Sequence, residues 1–179
     1  MIETLISSKT RIKLLLKFFL NSSTKSYLRG LESEFGESSN SIRLELNRLE
    51  KAGMLSSSSE GNKKIFQANK KHPLFYEVHN IVLKHIGFDK IIENVVERLG
   101  DVDKVFVSGA FAKGLDSTII DLVFIGQVNK IYLIELIDKV EKLISRKVRY
   151  VIFDKEEEHL IESKMHPLLL WSNEKVEKI

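Results

Sequence analysis

Asn40-Ser41-Ile42-Arg43-Leu44-Glu45-Leu46-Asn47-Arg48-Leu49-Glu50-Lys51-Ala52-Gly53-Met54-Leu55 is the stretch on which the reading of this chain turns. Ile42, Leu46 and Leu49 recur at helical spacing. Ser38-Ser39-Asn40 supply good N-cap types before them, and Gly53 supplies a stop after Ala52. A helix with that core stripe turns Ser39, Asn40, Ser41, Arg43, Asn47 and Arg48 outward or to its flanks. The period then changes. Met54-Leu55 and Ser56 to Ser59 lead to Glu60-Gly61-Asn62 and on to Lys63-Lys64-Ile65-Phe66-Gln67-Ala68, so two short runs about a Gly-Asn turn predict a β-hairpin with a polar edge strand.

Nearer the start of the chain, Ile12, Leu15, Leu16, Phe19 and Leu20 predict a helix over Lys9 to Leu20, with Lys13 and Lys17 elsewhere on the cylinder. Leu28, Leu31 and Phe35 predict a short second helix over Tyr27 to Phe35, stopped by Gly36. Helix, helix, helix and hairpin is the winged helix-turn-helix order, in which the third helix enters a DNA major groove and the hairpin meets the flanking backbone. Arg and Asn make bidentate bonds to base edges, and Ser at a helix start bonds a phosphate. The DNA-binding candidates are therefore Ser39, Asn40, Ser41, Arg43, Asn47 and Arg48 on the helix and Lys63 and Lys64 at the hairpin, with Lys9, Arg11 and Lys13 in reach of backbone. Charge agrees: residues 1–86 carry 14 Lys+Arg against 8 Asp+Glu (+6), while residues 87–179 carry 14 against 17 (−3). Glu45 and Glu50 on the third helix work against a pure phosphate patch, and winged helices also serve as protein-interaction modules.

The residues Arg11-Ile12-Lys13-Leu14-Leu15, Tyr27-Leu28-Arg29-Gly30-Leu31, Asn40 through Leu55 and Gly61-Asn62-Lys63-Lys64 resemble the prokaryotic ArsR-type winged-helix transcriptional regulators over roughly residues 7–72. The most specific piece is the helix ending Leu49-Glu50-Lys51-Ala52-Gly53 before a hairpin. The resemblance implies a homodimer on a two-fold DNA site, with the apolar connector after Pro73 as the place for the dimer contact. Metal-sensing members use Cys and His clusters. This chain has no Cys, and His72, His79 and His85 read as core or surface histidines.

Beyond Pro73 the pattern is helical to Gly87 and again over Phe88 to Leu99. Lys104 to Ser108 predicts a strand, Ile119 to Gly126 a second, Ile131 to Ile144 an amphipathic helix and Lys147 to Phe153 a third strand. Asp154 to Glu158 suits a helix start, and the tail from His166 to Trp171 is apolar enough to pack back. The run Ser108-Gly109-Ala110-Phe111-Ala112-Lys113-Gly114, with Asp121 after it, resembles the minimal nucleotidyltransferase motif, Gly-Ser-x-Ala-x-Gly followed by a strand bearing Asp-x-Asp. That resemblance implies a small-residue turn holding nucleotide phosphates and strand carboxylates holding Mg²⁺, which must stand at i and i+2 to share a face. Here the serine falls on Ala110, the first aspartate on Ile119 and the third carboxylate on Arg149, with only Asp121 kept. A catalytically silent version is expected, with Gly109, Ala110, Lys113, Gly114 and Asp121 as candidate contacts to a nucleotide that is bound without reacting.

The remaining composition narrows the classes. Zero Cys excludes disulfides, thiolate zinc, iron–sulfur clusters and Cys nucleophiles. No apolar stretch approaches the ~18 residues that span a bilayer, and Met1-Ile2-Glu3-Thr4 lacks a basic leader region, which predicts a soluble cytoplasmic protein. The expectation is an α+β protein, a winged helix-turn-helix domain with connector at 1–86 and a nucleotidyltransferase-like mixed-sheet domain at 87–179. Its expected function is duplex DNA-binding transcriptional regulation, with no catalytic residue, metal or required cofactor. The alternatives are an active nucleotidyltransferase or an antitoxin-like module that binds a partner protein.

Overall fold

The computed structural model of the chain describes residues 2–99 and 101–173, the side chains of 162–165 excepted. Its contacts divide into two units, Met1–His85 and Ile86–Ile179. No described helix is long and apolar enough to cross a membrane.

In the first unit α1 (Ile2–Leu5) precedes α2 (Lys9–Leu15), which Ser8 caps by accepting from the Arg11 amide. The sequence predicts one regular helix to Leu20 with Lys17 turned outward. Instead Leu16–Leu20 is a π-helix whose five residues, Lys17 included, are all buried. Lys17 is paired there with Glu34 at 2.6 Å. Tyr27 does not open a helix as expected. It is extended, forms β1 (Ser26–Tyr27), and α3 (Leu28–Phe35) follows, ending on Gly36. The third helix is α4 (Ser39–Lys51), capped by Ser38, and it buries the expected Ile42, Leu46 and Leu49. Strands β2 (Leu55–Glu60) and β3 (Lys63–Ala68) turn at Gly61-Asn62, and the antiparallel order is β1-β3-β2, leaving β2 as an edge exposed from Ser56 to Glu60.

Helix α5 (Phe75–Ile86) starts two residues after Pro73. Phe75 lies on Phe19, ring centroids 5.6 Å apart, and His79 Nδ1 donates to the Phe19 carbonyl at 2.6 Å, in the last turn of the preceding helix. The other connector histidines have separate partners: His72 Nδ1 accepts from the Leu74 amide at 3.1 Å, and His85 Nε2 lies 3.8 Å from Glu3.

In the second unit α6 (Phe88–Ile91), a π turn (Ile92–Val96) and α7 (Glu97–Leu99) replace the single regular helix expected over 88–99. Gly87 precedes them at φ +96°, where an added Cβ would stand 2.6 Å from Ile144 Cγ2. The order then runs β4 (Val102–Ser108), α8 (Gly109–Ala112), β5 (Ile119–Gly126), α9 (Lys130–Ile144), β6 (Lys147–Phe153), a 3₁₀ turn (Lys155–Glu157), α10 (Glu158–Met165) and β7 (Leu168–Ser172). The acidic run opens a helix through a reciprocal capping box between Asp154 and Glu157. The tail packs back as a strand: β7 joins β4, giving a sheet ordered β6-β5-β4-β7. β5 and β6 are parallel and the other pairs antiparallel, so the sheet is mixed and the architecture α+β. Phe106, Val123 and Ile125 on one face gather under Ile161 of α10, with Phe153 beside them.

One polar contact fixes how α4 lies. Glu45, its side chain 6% exposed, meets Arg11 Nε of α2 at 2.8 Å and Arg48 Nη1 at 2.9 Å. Burial alone would raise its pKa, but hydrogen bonds from Arg11 and Ser8 and the two guanidinium charges hold it below the ordinary 4.5. Glu45→Ala should destabilise by about 1–3 kcal/mol in urea unfolding, because both arginines can return to water but their positioning of α4 is lost. The sign with pH follows from the depressed value: the carboxylate's contribution is complete above 4.5 and is lost as pH falls through its folded pKa. The stability gap between wild type and Glu45→Gln should therefore be flat from neutrality down to about pH 5 and close below it.

Candidate functional site

Two sites emerge, one in each unit. In the first, α4 and the hairpin enclose a concavity of about 670 Å³ with Leu28, Leu46 and Phe66 in its lining and Arg29, Arg43, Asn47 and Lys63 around them. Asn40, Ser41, Arg43, Asn47 and Arg48 are exposed on α4, and Ser39 is half-buried in its first turn. Ser41 is committed to the cap, its amide donating to Ser38 Oγ at 3.3 Å. Arg48 is shared with Glu45. Arg43 and Arg29 have no ion-pair or hydrogen-bond partner among the described residues and border the same concavity.

The hairpin lysines stand differently from each other. Lys63 sits 4.4 Å from the Tyr27 ring centroid, a contact that leaves its donors accessible. Lys64 is tied to Glu50 at 2.7 Å and lies over Phe66 at 5.1 Å. Lys64 and Ser57 in turn hold the Glu50 carboxylate below its ordinary range. Of the three cations expected to reach backbone from helix α2, Lys9 is exposed, whereas Arg11 is occupied by Glu45, and Lys13 by Glu37 at 2.6 Å and the Phe35 carbonyl at 3.1 Å. Sequence reasoning missed Arg29, Tyr27 and Asn62 at this site. Asn62 was visible as a turn residue, whereas Tyr27 borders the concavity from β1, paired with β3 at Ile65, and Arg29 from the first turn of α3.

In the second unit β4 ends at Ser108, and Gly109 turns the chain at φ +66° into the single turn of α8. Glycine suits the turn, since a side chain is strained at this φ and an added Cβ would lie 2.7 Å from Asp121 Oδ2. Gly114 at φ +71° closes the loop. Ala110 is half-buried, Lys113 exposed, and Gly109, Lys113, Asp121 and Arg149 border an open concavity of about 470 Å³. Parallel register sets Asp121 beside Arg149, and Arg149 Nε donates to Asp121 Oδ1 at 2.7 Å. That contact raises the guanidinium's pKa further above its already high value.

These residues are poorly suited to a divalent metal. The Asp121 carboxylate is bonded to a cation, and Ile119, two residues before it, offers no oxygen. Among the described residues no group of three or more His, Asp or Glu is placed to hold a metal ion. The donor set does not fit Mg²⁺.

No protein-family model and no curated protein matches the chain. Among solved structures it is similar to a Sulfolobus solfataricus protein described as a nucleotidyltransferase candidate, at 22% identity over 52% of this chain and 85% of that one, TM-score 0.38. It is also similar to an Archaeoglobus fulgidus protein, at 18% identity over 52% of this chain and 99% of that one, TM-score 0.38. A third likeness is to a tri-AMPylated Shewanella oneidensis HEPN toxin in complex with MNT antitoxin, at 17% identity over 50% of this chain and 72% of that one, TM-score 0.37. Likeness at these levels assigns no residue a role.

Isothermal titration of Mg²⁺ into the full chain should give no saturable heat, and Asp121→Asn should titrate identically. Saturable binding that disappears in Asp121→Asn would contradict the assignment of Asp121 to Arg149.

Proposed function

We propose that the chain is a duplex DNA-binding transcriptional regulator whose first unit, a winged helix-turn-helix, docks α4 in the major groove and the β2-β3 hairpin on the backbone. The observation that carries this reading is the concavity between α4 and the hairpin. Its apolar floor is ringed by Arg29, Arg43, Asn47 and Lys63, an arrangement of phosphate and base-edge donors about a groove-sized helix. Asn40, Asn47 and Arg43 face solvent as base readers, Ser39 and Ser41 stand at the helix start, and Lys63 and Lys64 flank it on the hairpin. The first unit's excess of positive charge supplies long-range attraction.

The second unit is nucleotidyltransferase-like in this reading and serves sensing or assembly. Its mixed sheet and its β4–glycine turn–β5 order support the domain type, while the Asp121–Arg149 pair weighs against turnover. Gly109, Ala110, Lys113, Gly114 and Asp121 remain the contacts for a nucleotide held without reaction.

A second copy of the chain is the expected partner, docked along α5. Leu74 is 54% and Ile81 40% exposed, with Val78 between them. Glu77 and Lys84 flank this stripe and pair with nothing among the described residues. Antiparallel packing about a two-fold axis near Ile81 sets each Glu77 against the other copy's Lys84.

Fluorescence anisotropy of the full chain on random and genomic upstream duplexes at two salt concentrations tests the reading. Binding should be salt-sensitive with a preferred sequence, and absence of binding at low salt overturns it. Lys63→Ala should weaken all sequences alike and lower the salt slope by about one, whereas Asn47→Ala should cost about 1–3 kcal/mol at one base position. Glu50→Gln should tighten binding to every duplex and steepen the salt slope, because it releases Lys64 to the phosphates.

A further inference from the structure

The outward face of α4 is polar except at its centre. Ile42, Glu45, Leu46 and Leu49 are buried, and Asn40, Arg43, Asn47, Arg48 and Lys51 are exposed. Among these exposed residues stands Leu44, half of whose surface is open to solvent at 50%. It lies one turn beyond Asn40 and one turn before Asn47 and Arg48, so these side chains surround it. A solitary exposed leucine is ordinary on a protein surface. Leu44 is distinguished by its place, on the line of the helix that points most directly away from the core.

That line is fixed by the structure next to it. Glu45 is buried against Arg11 and Arg48, and successive residues of a helix lie 100° apart. Holding Glu45 inward holds Leu44 outward and prevents α4 from rolling to cover it. An apolar side chain at the centre of a groove-facing helix has a single apolar feature to meet on base edges in the major groove, the C5-methyl of thymine. The neighbours complete the pattern, because Asn40 and Asn47 bear the amide that bonds adenine N6 and N7.

We infer that Leu44 is a specificity-determining residue that reads a thymine methyl group, so that the preferred half-site carries a thymine flanked by adenine under α4. This rests on the duplex-binding reading above and extends it to the sequence read. Leu44 buries the methyl while the asparagines bond adenine edges on either side.

The test starts from duplexes selected out of a random pool by the full chain. Each thymine of the selected sequence is replaced singly by deoxyuridine, which removes the methyl and keeps every hydrogen-bonding group. Wild type should lose about four-fold in affinity at one position per half-site, the worth of one buried methyl-sized group, and be indifferent elsewhere. Leu44→Ala should lose that discrimination while keeping the wild-type salt slope and thermal midpoint, since an exposed residue can be truncated without unfolding the helix. Leu44→Met, which keeps an apolar reach, should retain most of it. Selective, salt-sensitive binding with no deoxyuridine effect overturns the inference and leaves the function standing. The same holds if the deoxyuridine effect survives in Leu44→Ala. Failure of any duplex to be bound at low salt removes the function and the inference with it.

Discussion

A carboxylate that keeps its charge with almost none of its surface in water must be held by cations, and in this chain that requirement falls on Glu45. Arg11, thirty-four residues earlier, meets it from α2, and Arg48 meets it from the next turn of its own helix. Hydrophobic packing of Ile42, Leu46 and Leu49 tolerates some rotation of α4, because apolar contact has no direction. The forked hydrogen bonds of a guanidinium do not. The choice of which α4 residues face solvent, and with it every proposed base contact, follows from this contact. Two cations that could have met phosphate are engaged with this carboxylate to achieve it.

The second unit is governed by strand parity. On β5 the residues Asp121, Val123 and Ile125 share a face, and their β6 neighbours in register are Arg149, Val151 and Phe153. A row across all four strands, Val151, Val123, Phe106 and Leu169, is therefore apolar, and the adjacent row begins with the Arg149–Asp121 pair. The same parity that would bring two aspartates together on one strand brings a guanidinium to a carboxylate across two. The glycine at 109 lets Asp121 approach the turn closely, so the loop and the ion pair are one arrangement rather than two.

How much of this was legible in the sequence depends on how far apart the interacting residues lie. The α4 stripe, its Ser38 cap and the Gly61-Asn62 hairpin are local patterns and read directly. β1 has two residues and no alternation, and β7 opens on the uniform run Leu168-Leu169-Leu170, so neither carries a strand signature of its own. Both exist because a partner strand offers them hydrogen bonds. The π turns were hidden for a related reason: Leu16 to Leu20 fits a helix stripe well enough that Lys17 reads as exposed, and only packing reveals that its neighbour is Glu34. At the proposed interface the hairpin lysines were visible, but their unequal availability was not. Glu50 reaches Lys64 across fourteen residues, and no spacing rule announces that.

The serine run of β2 is a polar sheet edge, which bears on behaviour at high concentration. Its backbone groups on the outer side are unpaired, which in most sheets invites another chain to add itself. Ser56 to Ser59 offer such a newcomer nothing apolar to grip on either face, and Glu60 adds a charge at the tip. An incoming strand would gain hydrogen bonds no better than those water already supplies. The hairpin can thus stay thin, projecting and open to a large ligand without becoming a nucleus for fibrous aggregation.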